Sequence, residues 1–346
     1  MTWERLENRS LTIAEAIDLP NDDGLPVLVV VSKLSFRFDP TAPEQRALRL
    51  AARPIRRFES ADPAGGVRYP RDFSLPFPGT ECALVGTAHP SRVPAESKLL
   101  TMQVGTVKKA VRLFGPRVYM KSPAGVRPGP AANVVSTPLR FDHCYGGYEP
   151  GEPQHRVAEN PIGRGFAVDP DKLVGVEAHR LEPAHPIGLH AAAGCFAPID
   201  FAWAPRRDLA GTYDDAWRRT RAPAAPRDQD ARYHSAVRPE QRSATHLTLP
   251  LGIVLLGFGG DDEIHLEIPA YGIDVVTEIR GGTGDSYPAP LSRVVVDLDE
   301  RVIELGFIAH VPLPMKWEKL RSVRILANGS LPENVQPPRT SSVVAP

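Results

Sequence analysis

The first sustained pattern along the chain is Val27-Leu-Val-Val-Val31, apolar at every position and followed from Lys33 by alternation. Leu34, Phe36 and Phe38 fall on one side, Lys33, Ser35 and Arg37 on the other. A continuous apolar run suits a strand covered on both faces, and alternation suits one with a single buried face. Val27 to Phe38 is therefore predicted as one strand with Lys33, Ser35 and Arg37 facing outward, ended by Asp39-Pro40. Leu99 to Phe114 reads as a hairpin. Leu100, Met102 and Val104 share a face, Gly105-Thr106 supplies a glycine-first turn, and Val107, Val111 and Leu113 continue on the return strand. Tyr119 and Leu139 to Phe141 sit in shorter extended pieces.

The C-terminal part returns to the same period. Ile253 to Phe258, Glu263 to Ile268, Ile273 to Arg280, Leu291 to Leu298 and Val302 to Val311 are predicted strands. Gly259-Gly260-Asp261-Asp262 and Asp299-Glu300-Arg301 are turns between neighbours. Alternation is cleanest in Ile303, Leu305, Phe307, Ala309 and Val311, against Glu304, Gly306 and His310. Arg321 to Ala327 adds one more strand.

Between these parts no period is sustained. The one predicted helix is Tyr213 to Arg221, with Asp214 and Asp215 near its start and Arg218, Arg219 and Arg221 near its end, an order that complements the helix dipole. Trp203, Tyr213, Trp217 and Tyr233 mark this region as ordered, and long ordered loops tend to carry function. The organisation expected is a β-rich unit over 1–147 and a Pro/Gly/Arg-rich loop region over 148–245 packed on both units. An antiparallel β unit over 246–328 and a disordered tail over 329–346 complete it. The expected fold class is mainly β: antiparallel sandwich or open-barrel sheets with long ordered loops and few short helices.

Composition sharpens this. The 346 residues include 37 prolines and 28 glycines, which disfavour long helices. Lys plus Arg and Asp plus Glu each number 41, so the net charge is zero and no overall field attracts nucleic acid or an anionic membrane. Cys82, Cys144 and Cys195 are odd in number and far apart, which fits a reducing compartment. The polar start, Met1-Thr-Trp-Glu-Arg-Leu-Glu, lacks the form of a signal peptide. No apolar run approaches the roughly 20 residues that span a bilayer. The expected location is the cytoplasm.

Candidate chemistry is sparse. His179, His185 and His190 are close enough in sequence to suggest zinc, but Pro186 and Gly188 keep them off one helical face. Asp142-His143-Cys144 sets a thiol beside an imidazole, yet adjacent residues of a strand point to opposite faces. Gly281-Gly282-Thr283-Gly284 joins two strands and lacks a phosphate-loop ending. Asn160-Pro-Ile-Gly163-Arg-Gly165-Phe166 reads as a tight turn with glycines at positive φ. His265 and Glu267 share a solvated strand face. No catalytic, metal or cofactor residues are assigned, and the chain is expected not to be an enzyme.

An ordered series of segments resembles the bacterial family known as the domain of unknown function 2169. It runs Val67-Arg-Tyr-Pro-Arg-Asp72, Pro78-Gly-Thr80, Val104-Gly105, Val111 to Gly115, Pro138-Leu-Arg-Phe141 and Tyr145-Gly-Gly147. It continues through Asn160 to Phe166, then Gly211-Thr-Tyr-Asp214, Trp217, Arg221, Pro223, Pro226, Asp228, Asp230, Arg232-Tyr233, Ala236 and Pro239. Val294-Val-Val-Asp-Leu298 closes it. Phe77 stands where a lysine is common in that family, Glu81 where aspartate is usual, and Ala224-Ala225 replaces a bulkier apolar pair.

The resemblance implies an adaptor or chaperone for type VI secretion, without cofactor. Its partners would be a secreted effector and a spike protein of the valine-glycine-repeat type or a PAAR-like tip, with no nucleic acid and no membrane. Trp203, Tyr213, Trp217, Arg221 and Tyr233 are the expected partner-binding residues, because Trp, Tyr and Arg dominate interface energetics. Tyr213 and Trp217, four apart on the expected helix, could equally form a core stripe, and for Trp217 core and interface stand as even alternatives; for Arg221, salt bridging within the fold is the favoured role. The alternatives are a hydrolase or effector-modifying enzyme near His143 and Asn160, and a structural component of the spike complex.

Overall fold

The computed structural model describes residues 6–42, 48–149, 151–184, 193–259, 262–280, 282, 284–313, 320–332 and 335. Its longest strand is the one whose pattern opens the chain. Pro26–Phe38 lies at the middle of a six-stranded sheet, paired along its length with Val302–Pro312 on one side and Ile13–Pro20 on the other. Leu48–Ala51 pairs with its far end. Beyond Val302–Pro312 come Leu291–Asp297 and then Glu81–Val85, which joins in parallel.

A five-stranded sheet runs Leu181–Pro183, Val107–Phe114, Ser97–Val104, Leu251–Gly259, Asp262–Ile268. A four-stranded sheet runs Leu6–Arg9, Leu320–Asn328, Gly272–Ile279, Ser286–Ala289. The protein is thus mainly β, with mostly antiparallel sheets and very few helices, as the sequence pattern indicates. The hairpin forms as expected, with Val104 opposite Val107 and Gly105 at φ +53° in the turn.

Each of these sheets takes strands from both ends of the chain, so the expected boundaries at 147 and 246 do not divide it. Strands of 1–147 and 246–328 are hydrogen-bonded neighbours in all three. The physical reason is the core. Leu34, Phe36, Leu305 and Val294 of the six-stranded sheet, Met102 and Ile253 of the five-stranded sheet, and Val275 and Ile325 of the four-stranded sheet belong to one apolar cluster. Leu331 and Val335 join it, which corrects the expectation of disorder from 329 onward at those two residues. Residues 336–346 lie outside the described residues.

The other face of the six-stranded sheet holds a second correction. Lys33 and Ser35, expected to face water, are buried, and so is Glu304. Alternation separates two faces by chemistry and does not say which is wet. Here residues 52–75 lie across the polar face: the Pro54 carbonyl accepts from Lys33 Nζ at 3.0 Å and the Ser74 carbonyl lies 2.8 Å from His310 Nε2. Lys33 sits 2.5 Å from Asp72 and 3.2 Å from Glu304, while Glu304 also takes Arg53 at 3.0 Å and Arg56 at 2.6 Å. Burial alone would raise the Glu304 carboxyl; hydrogen bonding from Arg56 and the charge of Lys33 outweigh it and hold it at about 2.

Candidate docking surface on the middle segment

The segment from 199 to 243 is held to the sheets by buried hydrogen bonds. Glu81 accepts from Ser235 Oγ at 3.0 Å and from the Ala236 N–H at 2.7 Å. Gln241 Nε2 donates to the carbonyls of Phe196 at 2.7 Å and Cys82 at 3.1 Å, while its Oε1 accepts from Lys109 at 2.6 Å. Buried polar groups this fully partnered fix one conformation. The loop region can therefore present side chains from a rigid base.

On that base stands a six-residue helix, Asp215–Thr220, shorter than the expected Tyr213 to Arg221. Asp214 ends it on the N-terminal side by accepting from the Trp217 N–H at 2.7 Å, which leaves Tyr213 outside the helix. The two aromatic rings still meet edge to face, with centroids 4.7 Å apart. Trp217 Nε1 donates to the Ala224 carbonyl at 2.9 Å, fixing the half-buried indole, and Tyr213 remains 53% exposed. A cleft of about 460 Å³ runs beside Trp217 between Thr212, Thr220 and Pro226.

Gly211, at φ +83°, makes the turn into this motif. A Cβ there would stand 2.9 Å from the Gln229 nitrogen and from Pro226. Asp230 caps the short 3-10 turn Ala231–His234, and its hydrogen bonds from Arg232 hold its carboxyl down at about 2.

The other expected anchors divide. Trp203 is 6% exposed, meets Phe141 edge-on at 5.4 Å and lies against Gly66, so it is a core side chain and not a surface contact. Its signal, an aromatic in an aperiodic region, does not separate core from interface. Arg221 donates to the carbonyls of Ala225 and Asp22 and pairs with Asp23 at 3.1 Å, bridging within the fold. Tyr233 is half-buried, its backbone carbonyl accepting from Arg206 at 3.0 Å. The structure thus brings Tyr213, Trp217, Arg221 and Tyr233 to the Asp22 side of the fold and leaves Trp203 behind.

The family described as uncharacterized protein conserved in bacteria (DUF2169) matches residues 23–307, most of the chain. The chain belongs to the DUF2169 family. No curated protein and no solved structure matches it.

The reactive-looking residues of this DUF2169 protein are tied into its architecture. His143 closes a 3-10 turn, Phe141–His143, instead of lying in a strand. Burial lowers its pKa, and the Asp142 carboxylate is 3.9 Å away. The Cys144 thiol, fully buried, donates to the Gly194 carbonyl at 3.3 Å, and burial pushes its pKa up, opposite to what a thiolate nucleophile needs. His179 bridges Tyr119 Oη at 2.8 Å and Glu182 at 2.9 Å. His185 and His190 lie outside the described residues, as do Gly260, Asp261, Gly281 and Thr283. Among the described residues no group of three or more His, Cys, Asp or Glu could hold a metal ion. Nor is any helix among them long and apolar enough to cross a membrane. His265 is on an exposed face, 3.1 Å from Glu263.

The Asn160 to Phe166 loop is a knot. Asn160 Nδ2 donates to the carbonyls of Phe141 and Tyr145, both at 2.9 Å. Gly165 has φ +98°, as expected, but Gly163 does not have a positive φ. Gly163 is required for a different reason: a Cβ there would stand 2.3 Å from Asn160 Nδ2 and 2.7 Å from the Cys144 carbonyl.

Proposed function

We propose that this DUF2169 protein is a non-enzymatic adaptor of type VI secretion. It binds an effector in the cytoplasm and helps load it onto a spike protein of the valine-glycine-repeat type or a PAAR-like tip. The observation that carries the reading is the Tyr213–Trp217 pair, one ring exposed and the other pinned at both ends, beside an open cleft. Aromatic anchors fixed before binding lose little side-chain freedom when a partner covers them, and such anchors concentrate interface energy. Micromolar affinity needs about 8 kcal/mol, within reach of an interface of roughly 1,600 Å² built around a few such residues.

The test is genetic and physical together. Deleting the gene should stop export of one effector while spike and tube proteins still reach the medium. Purified protein and effector should co-elute, and Trp217→Ala should weaken that complex without unfolding the chain. Normal effector export in the deletion strain, or no binding to any effector or spike protein, overturns the proposal. Export of this protein together with the spike would instead favour a structural component.

A further inference from the structure

Asp262–Ile268 is the last strand of the five-stranded sheet, and among the described residues it pairs only with Leu251–Gly259. Its inner side chains, Ile264, Leu266 and Ile268, are buried in the core, while Glu263, His265 and Glu267 stand exposed on the outer face. Hydrogen bonding across the sheet fixes which of its backbone groups face outward. The Gly252 carbonyl accepts from the Gly105 N–H at 2.9 Å, on the side of Ser97–Val104. Antiparallel strands turn successive residues to opposite neighbours, so Ile253 and Leu255 face their register partners Leu266 and Ile264. The N–H and C=O groups of Glu263, His265 and Glu267 therefore point off the edge, and among the described residues none of them has a hydrogen-bond partner.

Other sheet ends are closed. On the Glu81–Val85 edge the Cys82 carbonyl accepts from Gln241 Nε2 and the Leu84 N–H donates to the Phe196 carbonyl at 3.1 Å. At the opposite end of the five-stranded sheet, Leu181 bridges to Cys144 and Pro183 has no N–H to offer. An open edge is a template for another strand, and folds commonly guard one with lysine or proline. Between Glu263 and Ile268 there is neither. What the edge carries is two carboxylates. In antiparallel pairing with a second copy centred on His265, Glu263 would oppose Glu267 twice, and like charges set opposite each other disfavour such self-association. Beside them a cleft of about 280 Å³ opens on the outer face between Gly252, Val254, His265 and Glu267. A Cβ at Gly252, the register partner of Glu267, would meet nothing within 4 Å, which leaves room there for a long side chain.

We propose that this edge takes up an extended basic segment of a partner protein as a sixth strand. Main-chain hydrogen bonds to Glu263, His265 and Glu267 supply the binding, and every second side chain, Lys or Arg, lies along the outer face against the two carboxylates. The space over Gly252 takes the methylene stem of one such side chain while its charged head stays beside Glu267. Charge complementarity thus selects a basic strand over an acidic one and over a second copy of this chain. This contact is additional to Tyr213 and Trp217, and it does not depend on the adaptor reading.

Fluorescence anisotropy of fluorescein-tagged, capped octapeptides titrated with the full chain tests it. One peptide alternates Lys and Thr, and a second carries Glu in place of every Lys. Two more are the Lys–Thr peptide N-methylated at all Lys amides or at all Thr amides. The Lys–Thr peptide should bind and the Glu–Thr peptide should not. A peptide added as a strand turns only one set of its amides to the edge, so one methylated form should lose binding and the other keep it. The double variant Glu263→Lys/Glu267→Lys should weaken binding about tenfold or more with Tm unchanged, since both side chains are exposed. His265→Pro removes an N–H that bonds nothing within the sheet, so it should abolish binding while the chain stays folded. Equal binding of the two methylated forms, or wild-type affinity in the double variant, overturns the proposal. Dimerisation of the wild type that His265→Pro abolishes would put a second copy on the edge and overturn it as well. Failure of the adaptor reading looks different: effector export would survive deletion of the gene with these peptide results unchanged.

Discussion

The two faces of the six-stranded sheet are both dry, yet they are held by different physics. On one face Leu34, Phe36, Leu305 and Val294 pack into the shared apolar core. On the other, Val29, Val31 and Ile308 pack on Ile55 and Phe73, and beside this small apolar cluster Lys33, Glu304, Arg293 and Glu81 are equally buried but bound by ion pairs under residues 52–75. Adjacent positions of a single strand, Glu304 and Leu305, belong to opposite regimes. The apolar face tolerates imperfect fit at a graded cost. The charged part of the second face is all-or-none, because a buried charge that loses its partner keeps its desolvation penalty.

The pair Glu304→Ala and Leu305→Ala tests that contrast most directly. Glu304→Ala strips the shared partner from Lys33, Arg53 and Arg56 and should cost about 3–5 kcal/mol in denaturant unfolding. Leu305→Ala should cost about 2–4 kcal/mol, from lost burial plus the cavity left behind. Glu304→Ala costing under about 1 kcal/mol would mean that water reaches the charged face and that the two regimes are not distinct.

Acid should separate the faces without mutation. The Glu304 carboxyl is held at about 2 against an ordinary 4.5, a depressed pKa. Its contribution is fully present above 4.5 and is lost as the pH falls through about 2. Stability should therefore decline across that window by an amount on the order of 3 kcal/mol, and the decline should be absent in Glu304→Ala. Leu305→Ala should show the same acid limb as wild type, displaced downward.

Much of this contrast was beyond the pattern of the chain. Period-2 alternation places Leu34, Phe36, Leu305 and Phe307 on one face, because burial of a strand face writes itself locally. What covers the opposite face depends on residues 52–75, aperiodic and far from Glu304 in sequence, so the burial of Lys33 leaves no local mark. The same holds for Glu81–Val85, whose parallel partner Leu291–Asp297 is about 210 positions away. In the middle segment the helix is legible because Asp214 caps it locally, whereas the place of Trp203 is not, because an aromatic reads alike in core and interface.

At the far end of the charged face the contrast narrows, and the smallest expected effect lies there. Tyr69 donates its hydroxyl to Asp297, whose other oxygen accepts from the Glu300 N–H at 2.9 Å, with Arg68 3.7 Å away. Burial raises the Tyr69 pKa, and the hydrogen bond to Asp297 raises it further, so the phenol stays protonated and donating. Tyr69→Phe removes one donor but leaves Asp297 a backbone N–H and a nearby guanidinium, and the ring stays stacked under Arg56 at 4.1 Å. The carboxylate is therefore under-bonded, not orphaned, and the cost should be about 1 kcal/mol. Chemical denaturation of Tyr69→Phe beside Glu304→Ala measures how far the all-or-none character extends along the face. A loss as large as that of Glu304→Ala would show that Asp297 has no effective second partner and that the whole face responds as one network.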